Sequence, residues 1–147
     1  MFVKEVLQAK GAKVFTAHPD DLVEAVISEL RARAIGAAVV VDRRGAIQGI
    51  ISERDIVYGI ARYGTEALRM PAGALMTTPA PVCSPDDDLR TIMSLMTYRR
   101  VRHVAVFSDG RLAGVISIGD VVKNRLDEIE LEVNVLRDYA RLTAAPH

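Results

Sequence analysis

The chain of 147 residues is poor in the residues on which many classes of site depend. It has one cysteine, Cys83, no tryptophan, and aromatic residues make up 5% of the chain. A single cysteine excludes an internal disulfide and a cysteine-based metal cluster. The three histidines, His18, His103 and His147, lack the spacing of metal ligands. The sequence therefore predicts no metal site.

An excess of charge of either sign is also missing, because 19 Lys and Arg balance 19 Asp and Glu. A neutral chain gives no electrostatic reason to expect nucleic acid as a partner. No apolar run is long enough to cross a bilayer, and the first residues lack the apolar core of a signal peptide. We therefore expect a cytoplasmic protein with neither a nucleic-acid nor a membrane partner.

The common catalytic motifs are absent as well. The sequence contains no G-x-x-x-x-G-K-[ST] phosphate loop and no G-x-G-x-x-G dinucleotide fingerprint. The segment 49–52 lacks the second glycine of a nucleophile elbow. The acidic run 86–88 follows Pro85 and is explained as a helix start rather than a cation site. We predict a protein that is not an enzyme and has no catalytic cofactor.

What the sequence does contain is one motif in two copies, at 49–55 and 114–120. In both copies Gly precedes an apolar segment that ends in Ser, and Asp follows three residues later. This pattern predicts a buried strand that leads into a helix, with the Asp in the first helical turn. Capping of the helix is a sufficient explanation for Ser-x-x-Asp, and it is compatible with ligand binding.

The two motifs belong to a long internal repeat. Segment 19–21 aligns with 85–87 at an offset of 66 residues. The two copies of the motif align at an offset of 65, because the second unit has one residue fewer in a hairpin turn. The pattern predicts two β-α-β-β-α units, neither of which can bury its apolar face alone. We expect an α+β fold with the two units packed sheet to sheet in pseudo-twofold symmetry. The predicted segments are 1–68 with an N-terminal helix, 69–125, and an amphipathic helix over 126–147.

The C-terminal segment departs from the repeat. Its apolar residues recur three and four positions apart between charged ones, at Leu126, Ile129, Val133, Leu136 and Ala140. Such a helix either packs against the N-terminal helix or forms a contact between subunits, and the sequence leaves both open.

The tandem unit, the double motif and the length resemble a pair of cystathionine-β-synthase (CBS) domains over essentially the whole chain. Segments 35–37, 49–57 and 102–104 resemble small stand-alone bacterial members in particular. The resemblance implies a sensor that binds adenine nucleotides in clefts between the repeats, usually as a homodimer acting on an unknown target protein. Our order of ligands is AMP, NAD(H), ATP and S-adenosylmethionine. The alternative is a constitutive interaction scaffold without a nucleotide response.

The chemistry of a nucleotide assigns roles to some of these residues. An ionised carboxylate can accept hydrogen bonds from both ribose hydroxyls, a role that suits Asp55 and Asp120. Arg54 is the best-placed partner for a phosphate, and Gly119 stands at the matching position of the second motif, so the clefts should differ. Lys10 and Lys123 are further candidate phosphate contacts, or else solvated side chains.

The family pattern implies two sets of binding residues. The cleft of the first motif draws on Thr78, Val101, Arg102, His103, Ile51, Ser52, Arg54 and Asp55. The cleft of the second motif draws on Ala12, Ile35, Gly36, Ala37, Ile116, Ser117, Gly119 and Asp120. The sequence leaves three of these assignments open, since His103 also suits a core histidine, Arg102 a surface charge and Thr78 a turn residue. Arg99 and Arg100 are expected on the surface.

Overall fold

A computed structural model describes residues 1–11 and 14–144. Its helices and strands follow one another along the chain as α1 (Val3–Lys10), β1 (Thr16–Ala17), α2 (Val23–Arg33), β2 (Ala37–Val41), β3 (Ile47–Ser52), α3 (Glu53–Tyr63), a 3-10 helix (Gly64–Arg69), α4 (Ala72–Leu75), β4 (Val82–Cys83), α5 (Leu89–Arg99), β5 (His103–Ser108), β6 (Arg111–Ser117) and α6 (Ile118–Thr143). Among these helices, none combines the length and the apolarity that a membrane span requires.

The described strands form two sheets of the same design, ordered β1-β2-β3 and β4-β5-β6. In each sheet the first pair of strands is parallel and the second pair is antiparallel. Ala37 faces Ser52 in one hairpin, and His103 faces Ser117 in the other. The predicted α+β fold and its two repeated units are confirmed, and these paired positions place the two motifs at equivalent points.

Strand β2 shows why the sheets pack face to face. All five of its residues are buried, which suits its run of Ala and Val. Ala38 and Val40 join the core under the helices of the first half, whereas Val39 packs in a second core with Ala105 of the other sheet. A strand buried on both faces reads as a continuous apolar run rather than an alternating one.

The helix start predicted at the acidic run 86–88 falls at the end of that run, and the equivalent helix of the first half also begins after a turn. The segments 18–21 and 84–87 form turns, because the Asp21 carboxylate accepts the backbone N–H of His18 at 2.9 Å and Asp87 accepts that of Ser84 at 2.8 Å. Helices α2 and α5 begin only after these turns. Asp88, the last residue of the acidic run, caps α5 by accepting the N–H of Arg90 at 2.8 Å.

Helix α1 packs in the core of the second half. Val3 and Val6 are 0% and 1% exposed and lie among the buried residues of α5, β5 and β6. The backbone N–H of Val3 donates to the carbonyl of Asp87 at 2.9 Å. The division into 1–68, 69–125 and 126–147 stays a prediction, but in space this helix completes the second half rather than the first.

Helix α6 is one continuous helix of 26 residues, which a rise of about 1.5 Å per residue makes about 39 Å long. Its start is anchored by Val121, which is 1% exposed in the core of the second half. From residue 129 to residue 144 every residue is exposed. The expected tail helix is therefore the outer part of a longer helix, and residues 145–147 lie outside the described part.

Candidate functional site

Both copies of the motif fold into the same capping arrangement. The backbone N–H of Ser52 donates to Asp55 Oδ2 at 2.9 Å, and the N–H of Asp55 donates to Ser52 Oγ at 3.3 Å. The corresponding distances for Ser117 and Asp120 are 2.9 and 3.1 Å. Capping therefore operates in both copies. Because an ionised carboxylate has about four acceptor sites, each Asp keeps capacity for a ligand.

The two motifs meet where the halves of the molecule touch. The carbonyl of Gly36 accepts the N–H of Glu53 at 3.0 Å, and the carbonyl of Arg102 accepts the N–H of Ile118 at 2.8 Å, so each central strand starts beside the helix of its own motif. A Cβ on Gly36 would lie 3.1 Å from His103 Nε2. The starts of β2 and β5 therefore lie very close together. Glycine at position 36 permits this contact, because any side chain there would displace the imidazole of His103.

A cavity of about 400 Å³ opens at this junction, beside the first motif. Its size lies within the range of pockets that hold small molecules, about 300–1,000 Å³. Both halves contribute to its walls. The lining residues are Gly36, Ile50, Ser52, Glu53, Arg54, Asp55, Tyr58, Thr77, Pro81, Arg99, Arg100, Val101, Arg102 and His103.

Positive charge dominates the cavity wall, because four arginines line it beside the two acids Glu53 and Asp55. Arg54 is held in place by two hydrogen bonds, to the carbonyl of Arg100 at 2.8 Å and to the Tyr58 hydroxyl at 3.0 Å. Its guanidinium carbon lies 5.4 Å from the centre of the Tyr58 ring. Such a fixed guanidinium is suited to a phosphate oxygen.

His103 lies between the two motifs. Its Nδ1 is buried and has no hydrogen-bond partner among the described residues. Burial lowers the pKa of the imidazole, and the charge of Lys10 lowers it further, whereas Glu53 and Asp120 act in the opposite direction. His103 is therefore neutral at neutral pH, and a buried ring nitrogen remains available for a hydrogen bond.

Lys10 distinguishes the second motif from the first. Its ammonium donates to Asp120 Oδ2 at 2.6 Å and to the carbonyl of Val115 at 2.8 Å. Burial raises the pKa of the Asp120 carboxyl, but the hydrogen bonds from Lys10 and Ser117 and the charge of Lys10 outweigh burial and hold that pKa below its usual value. In the first motif the corresponding extra partner is neutral, because Thr77 Oγ1 donates to Asp55 Oδ1 at 2.9 Å.

The structure brings together most of the set predicted for the first motif. The predicted residues that line the cavity are Ser52, Arg54, Asp55, Val101, Arg102 and His103. Two others do not line it: Ile51 is fully buried in the core, and the Thr78 hydroxyl donates to the carbonyl of Gln48 at 3.0 Å. The neighbouring Thr77 reaches Asp55 instead.

Four charged or aromatic lining residues were not predicted from the sequence, namely Glu53, Tyr58, Arg99 and Arg100. Tyr58 follows Arg54 by four positions, so helical spacing could have placed it on the same face of α3. Arg99 and Arg100 are exposed, as expected, and still line the cavity. Their position directly before Val101 and Arg102, which the sequence assigned to the cleft, was the available signal.

The binding residues predicted for the second motif are more dispersed in the structure than those predicted for the first. Ile116 is fully buried, Ala37 is 6% exposed, and Gly119 and Lys123 are exposed. Ile35 and Gly36 line a separate, mostly apolar groove of about 520 Å³ between α2 and α3. Ala12 lies outside the described residues. Of this set, Ser117 and Asp120 are joined by the capping contacts, with Lys10 bound to the carboxylate.

Solved structures and known proteins resemble this chain over most of its length. A crystal structure of a CBS-domain-containing protein from Agrobacterium tumefaciens is 43% identical, with a TM-score of 0.81, and the match covers 84% of this chain and 92% of that one. A mitochondrial CBS domain-containing protein of Arabidopsis thaliana is 30% identical over 93% of this chain and 70% of its own length.

A third relative was solved with a ligand. The CBS domain protein of Pyrobaculum aerophilum in complex with AMP is 26% identical, with a TM-score of 0.76, and the match covers 90% of this chain and 99% of that one. Pairs of CBS domains are in general regulatory modules that bind adenosine ligands. The CBS domain pattern matches this chain twice, over residues 3–62 and 72–127, and the chain therefore belongs to the CBS domain family, with two such domains in tandem.

Proposed function

We propose that this protein is a non-catalytic sensor that binds an adenine nucleotide in the cavity beside Asp55, with AMP as the preferred ligand, NAD(H) second and ATP third. One observation carries the proposal. A cavity of about 400 Å³ places a carboxylate with spare acceptor capacity next to four arginines and a neutral histidine.

The ribose end of the ligand is assigned to Asp55. Its carboxylate already accepts hydrogen bonds from Ser52 and Thr77, which fix its orientation. Ser52 donates through both its backbone N–H and its hydroxyl, so of about four acceptor positions on Asp55 one remains, and it suits a ribose hydroxyl. Loss of a hydrogen bond to a charged group costs about 1.5–3 kcal/mol, or about 10- to 100-fold in affinity.

The phosphate end is assigned to the arginines, with Arg54 as the one held in position by its own hydrogen bonds. This charge favours a phosphorylated ligand over the sulfonium of S-adenosylmethionine. The volume of about 400 Å³ lies near the small end of ligand pockets, about 300–1,000 Å³, which favours a mononucleotide over a dinucleotide.

Isothermal titration calorimetry and thermal shift assays with AMP, NAD(H), ATP and S-adenosylmethionine test the proposal. We expect AMP to raise the melting temperature and Asp55→Asn to weaken its binding about 10- to 100-fold. Asp120→Asn is the matched control, because it makes the same change in the other copy of the motif. Absence of any adenylate binding at millimolar concentration would rule the proposal out.

A second function is favoured by the exposed outer part of α6. A constitutive interaction scaffold would use this helix as its recognition element, would not respond to nucleotides, and would lose its partner on truncation after residue 125. The homodimer, the target protein and the cytoplasmic location stay predictions under either function.

A further inference from the structure

The outer part of α6 carries an apolar stripe that the rest of the described chain leaves exposed. The stripe repeats every three or four residues through Val122, Leu126, Ile129, Val133, Leu136 and Ala140. The first five of these side chains are between 40% and 66% exposed. Since an apolar seam with this spacing is the one that coiled coils bury, the stripe has the geometry of a helix-pairing surface.

The charges on either side of the stripe are complementary to those of a second copy. With Leu126 at the first core position of a heptad, Arg125 and Glu132 flank the stripe on one side, and Glu130 and Arg137 flank it on the other. In a parallel pair of helices, a residue on the side of Arg125 and Glu132 faces the residue of the partner helix that lies five positions later in the sequence. Arg125 then faces Glu130, and Glu132 faces Arg137, so both contacts join opposite charges.

A second apolar stripe on α6 lacks this complementarity. Leu131, Val135 and Leu142 lie on nearly the opposite side of the helix, at 58–84% exposure. Asp138 falls within this stripe, seven positions after Leu131, and the two residues beside it, Asp127 and Glu128, are also acidic. Pairing of this stripe with itself would bring like charges together, so the stripe through Leu136 is the one that fits another copy of the chain.

We propose that the stripe from Val122 to Ala140 binds the same stripe of a second copy, as a parallel two-stranded coiled coil. Each α6 carries both the basic and the acidic residue of every charged contact, so the two helices interact through identical surfaces. Such a symmetric interface forms a dimer and does not extend to further copies. The parallel orientation places both CBS pairs at the same end of the coil. This inference goes beyond nucleotide binding and does not rest on it.

Substitution of the two equally exposed leucines tests which stripe pairs. Leu136 and Leu131 are 66% and 65% exposed on the same helix, so aspartate at either position should leave the fold intact. By multi-angle light scattering the wild type should have twice the mass of the 16.0 kDa chain. Leu136→Asp should raise the dissociation constant about 100-fold or more, because it buries a charge in the seam, whereas Leu131→Asp should not change it.

A monomeric wild type, or a Leu136→Asp variant that stays as dimeric as Leu131→Asp, would overturn the proposal. Circular dichroism on both variants verifies that the helix is retained. AMP binding by Leu136→Asp separates this result from the nucleotide proposal, since the cavity beside Asp55 does not include α6.

The orientation is tested with the Glu132–Arg137 contact, because Arg125 also pairs with Glu128 of its own chain. Glu132→Arg and Arg137→Glu should each weaken the homodimer about tenfold by opposing like charges. Mixed together, the two single variants should form a heterodimer, and the double variant should recover wild-type affinity. Recovery by the double variant is not expected in an antiparallel pair, where each side of the stripe faces the same side of the partner helix, and absence of this recovery would overturn the parallel arrangement.

A disulfide provides a second measure of orientation. In a Cys83→Ser background, Ala140→Cys should crosslink under mild oxidation, because equal core positions face each other in a parallel pair. Val135→Cys lies on the other side of the helix and should not crosslink. Equal crosslinking of the two variants would contradict the proposed seam.

Discussion

At the scale of single residues, the serine and aspartate of the motif cap the helix in both copies. In the first copy they also line the cavity, where the aspartate presents its carboxylate. The copies differ in the third partner, which is the hydroxyl of Thr77 in one and the ammonium of Lys10 in the other. A neutral partner leaves the charge of Asp55 available to a ligand, whereas Lys10 neutralises Asp120.

Removal of Lys10 should open the second motif to a ligand. In Lys10→Met the Asp120 carboxylate loses its ion pair, and its acceptor sites become available to a ribose. We expect calorimetry with AMP to show one site in the wild type and two sites in the variant. Lys123→Met, a change at an exposed lysine of α6, should leave one site. A wild type that already binds two equivalents would contradict the unequal clefts.

At the scale of helices and strands, the positions of the helices follow from periodic patterns, but their packing partners do not. An N-terminal helix was expected with segment 1–68 and is present as α1, yet its buried valines complete the second half. Helix α6 begins in that same core and then leaves the body of the protein. Both helices are amphipathic, and amphipathicity shows that a helix has a buried face without showing what covers it.

The docking of α1 can be measured by a cavity substitution. Val6→Ala removes two methyl groups from a side chain that is 1% exposed. We expect a loss of about 2 kcal/mol in the free energy of unfolding, which lowers the melting temperature by about 4–8 °C. Val57→Ala, at a side chain of α3 that is 60% exposed, is the control and should change stability by less than about 0.5 kcal/mol. Equal effects would show that α1 is not part of the core.

At the scale of the whole molecule, the candidate site exists only because the two halves meet. Asp55 and Arg54 come from the first half, and Arg102 and His103 come from the second. A ligand in this cavity therefore bridges the two CBS domains, and its binding free energy adds to their association. This is a physical route by which a nucleotide could shift the relative position of the domains.

The close approach of the halves depends on Gly36. An added Cβ would lie 3.1 Å from His103 Nε2, so the imidazole must shift in Gly36→Ala. A displaced rotamer costs about 1 kcal/mol, so we expect the melting temperature to fall by about 2–4 °C and AMP, whose cavity His103 lines, to bind about fivefold more weakly. Gly119→Ala, whose Cβ would meet only Ser117 Oγ at 3.6 Å, should retain wild-type affinity. Equal affinities of both variants would contradict the role of this contact.

Local patterns determined the class of fold and the centre of the candidate site. The repeat, the buried strands, the helices and the two Ser-x-x-Asp motifs are all encoded within short segments, because side-chain periodicity and capping act over a few residues. Asp55, Ser52 and Arg54 could therefore be named from the sequence, and they do line the cavity.

Tertiary structure alone decided which partners those residues meet. Thr77 is 22 positions from Asp55 and Lys10 is 110 positions from Asp120, and no local pattern relates residues so far apart. The arginines at 99 and 100 reach the cavity because α5 ends beside α3, where Arg54 meets the carbonyl of Arg100. Contacts of this kind arise from the packing of whole elements, which a sequence pattern constrains only through the need to bury apolar faces.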